Sequence, residues 1–126
     1  MGQSIYLSIH LSIYIISIPS PPELLRVFPN SNVVSVEWPA GTSWWLPSYY
    51  NAVARVPSVA QDLTALLHNL TSSCHLDLRD LHLIGHSLGA HVAGLAAAPL
   101  DTVGRISGKC PSMCVYWPGV GKDRYI

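Results

Sequence analysis

The residues of this chain whose types and spacing suit catalysis are gathered in Gly85-His86-Ser87-Leu88-Gly89, a G-x-S-x-G pattern behind the apolar run Leu81–Ile84 and ahead of an Ala- and Gly-rich stretch. A serine hydroxyl is a poor nucleophile unless it is presented to a base and the product of its attack is stabilised. A strand, a sharp turn and a helix in that order supply the presentation, with Oγ exposed at the strand's end. The bare pattern arises by chance at roughly 0.04 per chain of this length if Gly and Ser each stand near 7%. The flanking context, rather than the pattern alone, therefore makes Ser87 a candidate nucleophile instead of part of an inert turn.

Gly85 and Gly89 serve the turn, since without a Cβ they let strand and helix approach around a strained residue. Leu88, first in the expected helix, would point its amide at the developing oxyanion and gain from the helix N-terminus. Leu88, His91, Val92, Leu95 and Ala96 fall at helical spacing, which predicts one apolar face against a sheet, and Pro99 ends the helix.

Composition bounds the rest. The chain has 126 residues, enough for one domain at most, and only 11% are charged while 49% are hydrophobic. That is too little charge to clothe a surface comfortably, so much of the chain is expected to be the interior of something larger or to expose apolar surface. A net charge of zero argues against a nucleic-acid partner. Cys74, Cys110 and Cys114 cannot all pair within the chain, and Cys110-x-x-x-Cys114 lacks a second ligand pair for zinc.

Residues 4–18 are apolar, but no Lys or Arg precedes them, Ser17–Pro21 makes a poor cleavage site, and 15 residues are short for a membrane span. Their period of four (Ile-Tyr-Leu-Ser, Ile-His-Leu-Ser) reads as a translated tetranucleotide repeat, although the alternation also suits a β-strand. Ser20-Pro21-Pro22 is a breaker, and Glu23–Phe28 a short helix end before the turn at Pro29–Asn32. Val33–Trp38 predicts a buried strand. Residues 39–51 are expected to be a loop, whose Trp44, Trp45, Tyr49 and Tyr50 would either line an acyl-chain site or pack beside the core. Ser58–Gln61 is a capping-box candidate ahead of the stripe Val59, Leu63, Leu66, Leu67 and Leu70, with Pro57 opening that helix or kinking one begun near Asn51. Asn69-Leu70-Thr71 is a glycosylation sequon, meaningful in a secreted chain. After a polar turn at Ser72 and Ser73, a strand over Asp80–Ile84 delivers the elbow, and Val103–Ser107 makes another. The class is thus α/β: strand, helix, strand, helix, strand about a central parallel sheet, as in the middle of an α/β-hydrolase fold.

The chain resembles the pancreatic-type lipase family of animals over roughly residues 24–108. Asn32–Trp38 looks like that family's strand ending in an acidic residue and Trp, His82–Gly94 like its nucleophile region, and Val103–Gly108 like the strand after it. The resemblance implies a partial α/β-hydrolase domain over 23–108, with 1–22 and 109–126 as divergent flanking segments and the whole a fragment of a larger domain. It further implies that Ser87 attacks a carboxylic ester of a lipid, triglyceride or phospholipid, that Leu88 supplies one oxyanion amide, and that Gly85 and Gly89 shape the elbow. No cofactor or metal is implied; the partners are a lipid ester or a lipid–water interface, with no transmembrane span. The location is extracellular by resemblance.

Other parts of the family pattern do not carry over. Cys110 stands where the family has its acidic triad member, and loss of that carboxylate costs about 10⁴ in rate in serine proteases. Asp101 precedes the last strand and is expected at the opposite edge, and Asp123 lies beyond the matching region. In this fold the base follows the acid, yet no histidine follows His91. His86 and His91 are packing residues or, alternatively, a base; His10, His68, His75 and His82 have no motif support. The family's His-Gly oxyanion loop finds no match. These departures predict an inert chain, the truncated or mis-joined product of a lipase gene, with a non-catalytic lipid-binding or storage protein as the alternative.

Overall fold

A computed structural model describes residues 5–11, 21–38 and 46–109. The elements are β1 (Ile5–Leu11), α1 (Pro21–Val27), β2 (Asn32–Trp38), α2 (Leu46–Cys74), a 3₁₀ turn (Leu78–Asp80), β3 (Leu81–His86), α3 (Leu88–Ala97) and β4 (Arg105–Lys109). The four strands form one parallel sheet in the order β2-β1-β3-β4. The architecture is α/β, and the succession β2, α2, β3, α3, β4 is the one expected from the sequence.

The strand over Ile5–Leu11 takes an inner position. It pairs with β2 on one side, Ile5 with Asn32 through Leu11 with Trp38, and with β3 on the other, Ile5 with Leu81 through Ile9 with Gly85. The stretch lies outside the expected 23–108 domain, and its four-residue repeat carries no family likeness. Its alternation nonetheless suits a strand, and in the structure both of its edges are hydrogen-bonded.

β3 is buried on one face only. Leu81 and Leu83 are sealed beneath the helices, while His82, Ile84 and His86 are half-buried on the other face. Leu83, with no exposed surface, lies in the core with Leu63 and Leu67 of α2 and Leu88, Val92 and Ala96 of α3. Helices α2 and α3 pack on each other, as right-handed crossovers require for two successive connections running the same way across the sheet. Helix α1 contacts β2, and its buried Leu24 lies outside the core cluster.

Helix α2 differs from expectation at both ends. It begins at Leu46, so residues 46–51 are helical rather than loop, and it takes in Ser72 and Ser73 before ending at Cys74; of the two expected roles for Pro57, the structure has the helix running through it. The cause is burial along one stripe. Ala52, Val56, Ala60, Leu63 and Leu67 recur every three to four residues on both sides of the proline, and all are buried. An interior proline costs about 3 kcal/mol, whereas burying each large apolar side chain returns about 1.5–3 kcal/mol. Ser58 accordingly caps nothing: it sits mid-helix with Oγ donating to the Arg55 carbonyl at 2.9 Å. Thr64 Oγ1 lies 2.9 Å from the Ala60 carbonyl and 3.1 Å from that of Ala96, a polar tie between α2 and α3. At the far end His75 takes a left-handed φ of 53° and the chain turns towards β3.

Helix α3 is buried nearly all round rather than on a single face, through Leu88, Gly89, Ala90, Val92, Ala93, Gly94, Ala96 and Ala97. Small side chains allow neighbours close approach on several sides, which a stripe argument does not capture. The strands are shifted slightly from expectation, β3 running on to His86 and β4 from Arg105 to Lys109.

Candidate active site

Ser87 is the single residue between the end of β3 and the start of α3, with φ 54° and ψ −122°. Among the described non-glycine residues only His75 shares a positive φ. Such a backbone costs about 1–3 kcal/mol and persists only where its surroundings over-determine it. Here they do: a Cβ on Gly85 would fall on the Gly89 carbonyl and within 2.6 Å of the Ala90 nitrogen, so strand and helix are in backbone contact across the turn. Gly89 provides the surface against which Gly85 lies. Both glycines are buried.

Serine is favoured at a helix N-cap because its hydroxyl can accept from an amide of the first turn. Ser87 occupies that position without a side-chain cap bond, and its carbonyl accepts from Ala90 N at 3.1 Å. The hydroxyl is therefore not committed to holding the helix. Leu88 is the first residue of α3, and its N–H has no intrahelical acceptor. One spare amide thus follows Ser87 directly, at the positive end of a ten-residue helix.

Topology marks the same place. The chain runs from β1 out to β2, then crosses back to β3 on β1's other side, so the strand order reverses between β1 and β3. In open parallel sheets ligands bind outside the C-terminal strand ends at such a reversal. Ser87 follows the C-terminal end of β3 there. β1 ends beside it, Ile9 in register with Gly85 and the next residue, His10, in register with Glu37 of β2. No motif surrounds His10, and only the sheet order reveals its place at this edge.

The other candidates separate by position. His82 is the second residue of β3, five residues before Ser87 and so roughly 16 Å away along an extended strand. Its Nε2 lies 2.9 Å from Ser107 Oγ on β4. His68 and His75 are exposed at the end of α2 that leads into the start of β3, remote from the elbow. His86 and His91 lie within about one turn of Ser87, both half-buried. Asp101 is exposed and precedes β4, where Gly104 N donates to the Leu78 carbonyl at 2.9 Å, at the edge opposite the elbow as expected. β4 reaches the elbow's level with Lys109 beside His86. Cys110, Cys114 and Asp123 lie outside the described residues, as do Trp44 and Trp45. Tyr50 is exposed in the first turns of α2, and Cys74 is an exposed free thiol. Among the described residues no cluster of three or more His, Cys, Asp or Glu could hold a metal, and no helix is long and apolar enough to cross a membrane.

Burial, with Arg105 alongside, holds the His82 pKa below its usual 6.5, and burial does the same to His91. The folded state therefore takes up protons less readily than the unfolded chain. Stability from these two sites is complete above about pH 6.5 and is lost as pH falls through that value towards the lower folded pKa values. The melting temperature is expected to be lower at pH 5 than at pH 7.5, with the drop reduced in His82→Gln. At the entrance to β3, the Arg79 guanidinium and amide bonded to Asp77 lower that carboxyl from 3.8 to about 2, so its contribution is present above pH 3.8 and disappears towards pH 2.

The strain at Ser87 has its own test. Ser87→Ala keeps the Cβ and the strain, while Ser87→Gly releases it. After glycine's larger unfolded-state entropy is set against that release, the glycine variant is expected to be more stable than the alanine variant by about 1 kcal/mol in thermal or denaturant unfolding.

The family model described as Lipase matches residues 22–124, the greater part of the chain. The chain belongs to the Lipase family. The match begins close to where the sequence resemblance does and continues past Gly108, where that resemblance ended. Hepatic triacylglycerol lipase of Mus musculus is 40% identical over 84 residues, which is 64% of this chain and 16% of the relative. Pancreatic triacylglycerol lipase of the same species is 35% identical over 82 residues, 64% of this chain and 17% of that lipase. Inactive pancreatic lipase-related protein 1, also from Mus musculus, is 35% identical over 80 residues, again 64% of this chain and 16% of the relative. The chain thus spans about one sixth of the length of the curated relatives it matches.

Proposed function

We propose that this chain carries the nucleophile-bearing part of an extracellular lipase, a carboxylic ester hydrolase of the triglyceride lipase or phospholipase A1 type acting in lipid catabolism. Ser87 is the nucleophile, the Leu88 amide is one oxyanion donor, and Gly85 and Gly89 hold the turn. Membership of the Lipase family, with triacylglycerol lipases among the relatives, supports the reaction class. The observation that carries the assignment of Ser87 is its strained φ of 54° with a hydroxyl not used as a cap, at the point where strand order reverses. The four-stranded parallel sheet supports reading the domain as the central part of an α/β-hydrolase fold.

In the family's order of acid and then base after the serine, this chain has Cys110 and no later histidine. We therefore expect these 126 residues alone to be inert. A fluorophosphonate probe tests this, since it reacts only with an activated serine. Absence of label at Ser87 is the expected result; labelling abolished by Ser87→Ala would overturn it, and His10, His86 and His91 variants would then identify the base.

A second reading, a non-catalytic lipase-like protein that binds or stores lipid, draws support from the relative whose name marks it as inactive. Saturable binding of a triglyceride or phospholipid analogue by a chain that the probe does not label would favour it.

A further inference from the structure

Asn69-Leu70-Thr71 is a motif that ester hydrolysis leaves unused, and it is the single N-x-S/T sequon in the chain. It lies near the end of α2, whose core stripe ends with Leu67. Two residues further on, Asn69 is turned about 200° round the helix, and it is exposed with His68, Ser72 and Ser73. Ala65 and Leu66 precede it by four and three residues, which makes them its surface neighbours on that helix. Leu66 is a large apolar side chain left 38% exposed, in a chain with only 11% charged residues to keep it soluble. A bulky polar group on Asn69 would clear the core and stand over that apolar spot.

We propose that Asn69 is an N-glycosylation site used when the chain is made in the secretory pathway, which rests on the extracellular reading above. Asn69 Nδ2 loses a proton and bonds to the anomeric carbon of the first N-acetylglucosamine of a lipid-pyrophosphate-linked oligosaccharide. The bond from that carbon to the pyrophosphate oxygen breaks, and the lipid pyrophosphate leaves. Transfer precedes folding of α2, because in the folded helix Thr71 Oγ1 is engaged with the Leu67 carbonyl at 2.8 Å. The exposure of Asn69 lets the glycan remain once the helix forms.

The test is translation of the full chain behind a cleavable secretory signal in the presence of endoplasmic reticulum microsomes. The added signal imposes the routing, so a failure of the site is distinct from a failure of the extracellular reading. The expected result is one endoglycosidase-sensitive mobility step in the protease-protected chain, lost in Asn69→Gln and Thr71→Ala and kept in Thr71→Ser. Protected chain without the step, or a step surviving Asn69→Gln, would overturn the proposal. Expression in secretory cells without the added signal reads the native routing separately.

Discussion

Residues 22–109, grafted in place of the matching stretch of a pancreatic-type lipase, are expected to support ester hydrolysis, and Ser87→Ala in that chimera to remove about 10⁶ of the turnover. The recipient supplies the acid, the base and the second oxyanion donor, and this chain supplies the elbow. The size of the effect follows from the way a nucleophile and its partners act as a unit, so losing the serine forfeits nearly everything except binding and oxyanion stabilisation. Extending the graft to Cys110 is expected to cost about 10⁴, because a thiol gives an imidazolium no carboxylate to stabilise it, and Cys110→Asp to recover most of that loss. Steady-state hydrolysis of a short-chain ester reads both arms. A chimera that folds and turns over equally well with alanine at position 87 would remove Ser87 from the mechanism.

Gly85→Ala is expected to destabilise the chain by about 3 kcal/mol or more, seen as a lowered denaturant midpoint, and to abolish activity in the chimera. The added methyl meets the Gly89 carbonyl and the Ala90 nitrogen, which are backbone atoms of α3 and not the movable end of a side chain. Relief requires α3 to move off β3. That movement would disturb the packing of Leu88, Val92 and Ala96 against Leu83 and release the constraint that holds Ser87 at its positive φ. Against a total stability of roughly 5–15 kcal/mol for a domain, such a loss is a large fraction of the whole. An alanine variant with an unchanged midpoint would show that strand and helix are not in contact at this turn.

The elbow was legible because its requirements are local. Close backbone approach asks for glycine, and the apolar residues on either side set a strand before and a helix after within a span of about fourteen residues. β2 was legible for a similar reason, with Val33, Val34 and Val36 between turn residues. The course of α2 was not. Local rules place a loop before Asn51, a cap at Ser58 and a turn at Ser72, whereas burial of Val56, Ala60, Leu63 and Leu67 against β3 and α3 holds one helix from Leu46 to Cys74. Long-range packing energy outweighed those short-range preferences.

The sequence by itself determined the family, the α/β class and the strand–turn–helix that carries Ser87, since each is written in contiguous residues whose behaviour depends on near neighbours. The tertiary structure decided the rest. Strand order, with Ile5–Leu11 between β2 and β3, depends on which edges meet, and nothing in a strand's own residues names its partner. That order makes the reversal point at which Ser87 stands, brings His10 to the same edge and leaves Asp101 at the other. The contact of His82 with Ser107 and of Thr64 with Ala96 likewise joins residues 25 and 32 positions apart. The strain at Ser87 is a property of the assembled turn, because a positive φ survives only where β3 and α3 are already packed on each other.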